Sequence, residues 1–263
     1  MNRIKSLFER KHSNILNVYF TAGYPNLEDT FEIALGLEGC GVDIIELGMP
    51  YSDPLADGPT IQESGSRALK NGMTLDILFT QIEKLREQSE LPLILMGYFN
   101  QVMQYGDKKF FERCKAVGVD GLILPDLPLH VFERDYHQLF KELELTISFL
   151  ITPQTPDSRI RKIDSLTTGF IYVVSSYAIT GAKKGIQPYQ IDYFKRINAM
   201  ELSNPKLIGF GISDHKTFTI ACEYAEGAII GSAFIKALGG LGSLPERINA
   251  FISNIKMKEE INS

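Results

Sequence analysis

Short apolar runs that recur along the whole chain constrain its fold more than any other feature. Eight of them are typical of buried strands, and they lie near residues 15–20, 43–48, 93–96, 121–124, 146–151, 170–175, 206–210 and 227–230. Helical patterns fill the intervals, for example at residues 75–85 and 136–143. Because strands and helices alternate in this way over 263 residues, the sequence predicts an α/β fold, a (β/α)8 TIM barrel.

An open, doubly wound sheet is the alternative fold, but no Gly-x-Gly-x-x-Gly motif follows the first apolar run. No linker or shift in composition divides the chain, so residues 1–263 are predicted to form one domain. The first residues predict an extra, amphipathic helix with Ile4, Leu7 and Phe8 on one side.

The spacing of the predicted strands is uneven. Most begin roughly 20 to 30 residues apart, but the intervals after the second and the sixth strand are longer. We therefore expect enlarged loops at Glu46–Pro59 and Ser175–Gln187. Long loops that follow barrel strands lie at the catalytic mouth and often act as lids, so this pattern favours a covered site.

Composition and charge exclude several classes of protein. The net charge is −5, and no basic patch of the kind that binds nucleic acid is present. The longest apolar runs are far too short to span a membrane, and the N-terminus lacks the apolar core of a signal peptide. Three scattered cysteines, Cys40, Cys114 and Cys222, have no metal-ligand spacing. They predict buried thiols in a reducing cytoplasm.

Three carboxylates accompany the second predicted strand. Glu46 interrupts that apolar strand near its end, and Asp53 and Asp57 follow in a loop rich in proline and glycine. Two carboxylates in different environments can hold different protonation states, which suits paired acid and base chemistry by Glu46 and Asp57. The structural alternatives are a buried ion pair for Glu46, and turn or helix caps for the two aspartates.

Glycines at the ends of the last two predicted strands point to a phosphate site. Gly211 lies in Gly209-Phe-Gly-Ile-Ser213, and Gly231 with Ser232 precedes a short predicted helix. Glycine lets backbone N–H groups approach an anion, and the loops after strands 7 and 8 form a frequent phosphate site in such barrels. Each motif is also compatible with a plain tight turn.

Other candidates line the predicted barrel mouth. Thr180 and Gly181 lie in the sixth loop, where they could close over a ligand or belong to a solvated loop. Tyr172, within the preceding strand, could place its hydroxyl at the mouth or remain a core aromatic. An apolar wall for an aromatic substrate is predicted from Phe20, Met96, Leu124, Ile151 and Phe210.

The segment Glu46-Leu-Gly-Met-Pro-Tyr-Ser-Asp-Pro-Leu-Ala-Asp-Gly-Pro59 closely resembles the signature of the tryptophan synthase alpha chain family. The resemblance extends over nearly the whole chain, through Phe20-Thr-Ala-Gly-Tyr-Pro25, Leu95-Met-Gly-Tyr-Phe-Asn100, Pro125-Asp-Leu-Pro128, Ile179-Thr-Gly181, Gly209-Phe-Gly-Ile-Ser213 and Gly231-Ser232. It implies a lyase that splits indole-3-glycerol phosphate into indole and glyceraldehyde 3-phosphate. It further implies an α₂β₂ complex in which a beta subunit, carrying pyridoxal phosphate, receives the indole.

The resemblance also implies roles for individual residues. Glu46 would shuttle protons, Asp57 would hold the ring N–H, and Tyr172 would position the substrate. The phosphate would bind Gly181, Gly211, Gly231 and Ser232, and no metal or cofactor on this chain is implied. Asp53 and the Asp126–Pro128 turn are candidates for the contact with the beta subunit.

The sixth loop departs from the family pattern of Ser-x-Thr-Gly-x-Thr-Gly followed by arginine. Tyr177 and Ala178 replace the first Thr-Gly pair, and Lys183 with Lys184 stands where the arginine is expected. Lysine lacks the bidentate fork of arginine, so closure of the loop is the property most affected. Two other functions remain open, a different phosphate-binding barrel enzyme and a catalytically weak subunit that activates a partner.

Overall fold

The computed structural model describes residues 2–54, 57–175, 186–209 and 211–256. Its strands are β1 (Ile15–Thr21), β2 (Ile44–Gly48), β3 (Leu93–Met96), β4 (Gly121–Ile123), β5 (Thr146–Ile147), β6 (Leu150–Ile151), β7 (Ile171–Val174), β8 (Lys206–Gly209) and β9 (Gly227–Ile230). The helices are α1 (Arg3–Arg10), α2 (Asp29–Gly39), α3 (Pro59–Lys70), α4 (Leu75–Arg86), α5 (Phe99–Tyr105), α6 (Asp107–Val117), α7 (Leu129–Val131), α8 (His137–Glu142), α9 (Asp157–Leu166), α10 (Pro188–Asn198), α11 (His215–Cys222), α12 (Ser232–Leu238) and α13 (Leu244–Lys256), with a π-helical turn at Phe132–Tyr136. None of the described helices is both long and apolar enough to cross a membrane.

The paired strands are all parallel and form one sheet in the order β5-β4-β3-β2-β1-β9-β8-β7-β6. The two strands at the ends of this order, β5 and β6, are consecutive in the chain and separated only by Ser148 and Phe149. The N–H of Ser148 donates to the carbonyl of Leu122 on one side, and Phe149 accepts from the N–H of Tyr172 on the other. The predicted fifth strand is therefore one bent strand that closes the sheet, and the TIM-barrel prediction is confirmed.

The strands are buried on both faces, which explains their nearly continuous apolar sequences. One apolar layer lies between the sheet and the helices, and a second, smaller one fills the barrel. Helix α1 caps the end of the barrel where the strands begin, because its Ile4 and Leu7 pack with Ile15 and Ile44. With that end closed, the site must form at the opposite end, where the strands finish.

The long intervals after β2 and after β7 contain different structure in the described residues. After β2 the loop covers residues 49–58, and most of the remaining length forms α3 and α4 rather than further loop. The predicted segment Glu46–Pro59 thus covers the end of β2, this loop and the first residue of α3. After β7 the chain reaches α10 only at Pro188, but residues 176–185 lie outside the described residues.

Candidate active site

Glu46 lies inside the barrel, in the middle of β2, with none of its surface exposed. The Asn17 side-chain N–H donates to Glu46 Oε1 at 2.5 Å. No described residue hydrogen-bonds to Oε2. Burial raises the pKa of Glu46 from 4.5 to about 8, although the Asn17 hydrogen bond opposes this shift. A carboxyl with a pKa near neutrality can both donate and accept a proton at physiological pH.

The proposed ion pair for Glu46 is absent from the described part of the chain, where the ion pairs involve other carboxylates. An isolated carboxylate in an apolar interior costs several kcal/mol when it is ionised. Among the described residues, one amide hydrogen bond is all that compensates for that cost. This arrangement favours a chemical role over a structural one.

Asp57 is held at the same end of the barrel by the loop that follows β2. Its N–H donates to the carbonyl of Pro54 in a turn, and Gly58 and Pro59 then begin α3. The Tyr98 hydroxyl donates to Asp57 Oδ2 at 3.2 Å. Burial raises the pKa of Asp57, while the Tyr98 hydrogen bond lowers it. By contrast, Asp53 is exposed and accepts a hydrogen bond from Ser52.

Two buried tyrosines lie close to both carboxylates. Burial raises the pKa of Tyr19 and of Tyr172, and the charges of Glu46 and Asp57 add to both shifts. The four side chains thus share one electrostatic environment at the barrel mouth. Glycines make room for the rings, because a Cβ at Gly48 would lie 2.1 Å from the Tyr19 hydroxyl and one at Gly209 would lie 2.4 Å from that of Tyr172.

Phe20 does not line this site, contrary to the sequence prediction. Its buried ring packs against Phe234 of α12, with centroids 6.3 Å apart, in the layer between sheet and helices. Side chains alternate along a strand, so the interior position belongs to Tyr19. Leu124 and Ile151 of the predicted wall also belong to the outer layer, whereas Met96 packs inside the barrel.

The predicted phosphate-binding residues follow the last two strands. Gly211 is exposed, with φ +79°, a conformation that residues with a Cβ rarely adopt. Gly231 directly precedes α12 and lies over the Tyr19 ring, and Ser232, the first residue of that helix, is exposed. These positions are at the same end of the barrel as Glu46. Phe210, Thr180 and Gly181 lie outside the described residues.

Sequence reasoning missed three residues that lie beside the carboxylates. Asn17 and Tyr19 are polar residues two apart in a strand whose other residues before Thr21 are apolar, and Tyr19 is the register partner of Glu46. That alternation was a usable signal. Tyr98 carried no comparable signal, because its contact with Asp57 joins two different loops. Within the described ranges, no group of three or more His, Cys, Asp or Glu side chains could hold a metal ion.

Comparison with known proteins identifies the family of the chain. The family model of the tryptophan synthase alpha chain matches residues 5–262. The tryptophan synthase alpha chain of Christiangramia forsetii is 52% identical over 256 residues, which cover 97% of this chain and 99% of that protein. The alpha chain of Flavobacterium psychrophilum is also 52% identical, over 257 residues that cover 97% and 100%.

Solved structures of tryptophan synthase chains also match this chain. A mutant tryptophan synthase alpha-subunit from Pyrococcus furiosus is 35% identical, with a TM-score of 0.85, over 93% of this chain and 98% of that chain. A chain of the tryptophan synthase complex from the same organism is 34% identical, with the same TM-score and coverage. Since sequence and structure both match over nearly the whole length, the chain belongs to the tryptophan synthase alpha chain family, a family of enzymes of tryptophan biosynthesis.

Proposed function

We propose that the chain cleaves indole-3-glycerol phosphate to indole and glyceraldehyde 3-phosphate. In this retro-aldol reaction the bond between indole C3 and the side-chain carbon breaks. C3 gains a proton, the adjacent hydroxyl loses one, and positive charge develops near the ring nitrogen in between. The enzyme must therefore supply a group that both donates and accepts protons, and an anion that stabilises the ring nitrogen.

The observation that carries the proposal is the buried Glu46, whose Oε2 has no partner in the described part of the chain, in the electrostatic environment of Asp57. A pKa of about 8 suits Glu46 for donating a proton to C3 and for accepting one from the hydroxyl. Asp57 would accept the ring N–H and stabilise the positive charge. The Tyr98 hydroxyl and the nearby N-terminus of α3 both favour the ionised form of Asp57 that this role needs.

Substrate binding is assigned to the surrounding groups. Tyr172 would position the indole beside Glu46, and Tyr19 rather than Phe20 would supply the second aromatic contact. Backbone N–H groups at Gly211 and Gly231, with the Ser232 hydroxyl, would bind the phosphate. Thr180 and Gly181 would complete the closure of the site. This chain needs no cofactor of its own for these steps.

Family membership and the Pyrococcus furiosus complex support a beta subunit as the partner. We propose an α₂β₂ assembly in which indole passes to a beta subunit that carries pyridoxal phosphate. Asp53 and the Asp126–Pro128 turn remain candidates for the contact, and Asp53 and Asp126 are both exposed. The three cysteines are free thiols, which fits the proposed cytoplasmic location.

The test is to incubate the purified chain with indole-3-glycerol phosphate, with and without its beta subunit, and to measure both products. We expect equal amounts of indole and glyceraldehyde 3-phosphate, a faster reaction with the partner, and much weaker turnover of indole glycerol, which lacks the phosphate. Absence of indole even with the partner would refute the proposal. The chain would then be a different barrel enzyme or a subunit that only activates its partner.

A further inference from the structure

Asn17 is an unusual residue for its position. It lies in the middle of β1, fully buried, between apolar neighbours on a strand whose other face packs against helices. Burying an amide without a full set of hydrogen bonds is unfavourable, so such a residue generally has a specific partner. The partner here is Glu46, the group at the centre of the proposed chemistry.

The two side chains leave a defined pair of atoms unsatisfied. The Asn17 N–H donates to Glu46 Oε1 at 2.5 Å, while Asn17 Oδ1 and Glu46 Oε2 have no hydrogen-bond partner among the described residues. The opposite orientation of the amide would place Oδ1 against Oε1, two acceptors that repel when Glu46 is ionised. The contact therefore selects one carboxylate oxygen and leaves the other available.

We propose that Asn17 is a positioning residue for Glu46, whose amide N–H holds Oε1 so that Oε2 is the oxygen that exchanges protons with the substrate. This inference rests on the proposed function and extends it to a residue in a different strand. Asn17 touches no reacting atom in this scheme. It acts by orienting the carboxyl and by stabilising its ionised form.

The other ionisable groups near Glu46 act differently. Tyr19 faces it from β1 and Tyr172 from β7, and the raised pKa of each keeps its hydroxyl neutral well above pH 8. Asp57, from the loop after β2, acts on both tyrosines and carries the same sign of charge as ionised Glu46. The Asn17 amide is therefore the described group that favours the ionised form of Glu46.

Asn17→Leu keeps the branched shape of the side chain and removes the N–H donor, and the smaller Asn17→Val serves as a second variant if the leucine prevents folding. With glutamate labelled by ¹³C at the carboxyl carbon, the Glu46 signal is identified by its loss in Glu46→Gln. Titration by NMR should show a midpoint about one unit or more higher in the Asn17 variant. The matched control is Thr167→Val, which removes a buried, unpartnered hydroxyl at the opposite end of the barrel and should leave the midpoint unchanged.

Indole release gives the second readout. In Asn17→Leu we expect kcat near pH 7 to fall about tenfold with little change in KM, and the limb of the pH profile that belongs to Glu46 to move upward with the NMR midpoint. A folded Asn17 variant with an unchanged midpoint and profile would overturn the inference. Because the NMR titration needs no turnover, failure of the proposed function and failure of the Asn17 inference are distinguishable.

Discussion

Replacing Glu46 by glutamine should stabilise the fold at alkaline pH, because it removes a buried group that resists ionisation. The pKa of Glu46 is raised from 4.5 to about 8 by burial. Each unit of pKa shift corresponds to about 1.36 kcal/mol, so ionising this carboxyl in the folded protein costs up to about 5 kcal/mol. That is a large fraction of the stability of an ordinary domain.

The sign of the pH dependence follows from proton binding. Between pH 4.5 and about 8 the folded protein retains a proton that the unfolded chain has released, so raising the pH favours unfolding. Below this window both states are protonated and the cost vanishes, and above it the cost is complete. Glutamine cannot ionise, so the variant should lose none of its stability through this group.

Urea unfolding of both proteins at pH 5 and pH 9 measures the effect. The difference in unfolding free energy between variant and wild type should move in favour of Glu46→Gln by several kcal/mol between the two pH values. Glu63→Gln, which changes an exposed residue of α3, is the matched control and should follow the wild type. Identical pH dependence of the wild type and Glu46→Gln would refute the reasoning, since it would mean that Glu46 ionises without cost.

Three further substitutions test separate parts of the site. Asp57→Asn should lower kcat about 10²- to 10⁴-fold in the isolated chain, whereas Asp53→Asn in the same loop should leave kcat unchanged. Equal effects of the two substitutions would contradict the role proposed for Asp57. Ser232→Ala should raise KM roughly threefold to tenfold at constant kcat, and a selective loss of kcat would argue against phosphate binding there. Gly209→Ala would bring a Cβ within 2.4 Å of the Tyr172 hydroxyl, so kcat should fall several-fold in a folded protein, and wild-type kinetics would remove Tyr172 from the site.

The sequence predicted the barrel because its signal is local and repeated. Parallel strands buried on both faces have to be apolar throughout, and eight such runs left little choice of architecture. Glu46 was identified for the related reason that a carboxylate is rare in such a strand. The bend at Ser148 and Phe149 was not predicted, because one small polar residue, Ser148, is the only mark of it in an otherwise strand-like run.

The wrong prediction for Phe20 arose because its strand is buried on both faces. In a strand that is buried on both faces, hydrophobicity does not show which residues point inward, and an error of one position exchanges Phe20 for Tyr19. The contact between Tyr98 and Asp57 could not be predicted from the sequence either, because it depends on how two loops from adjacent strands approach each other. Asn17 and Tyr19 alternate along β1, and Tyr19 pairs with Glu46 of β2. These polar residues together would have shown which side chains of β1 point into the barrel.

The most direct test of the central claim compares the rate of indole formation by the wild type and Glu46→Gln, each saturated with indole-3-glycerol phosphate and with the beta subunit. Glu46 is proposed to take part in both proton transfers, so we predict a loss of at least about 10³-fold in kcat. The variant should nevertheless be folded and at least as stable as the wild type at pH 9. A Glu46→Gln protein that makes indole within tenfold of the wild-type rate would contradict the account, because no other described group combines burial, an unpartnered oxygen and a pKa of about 8.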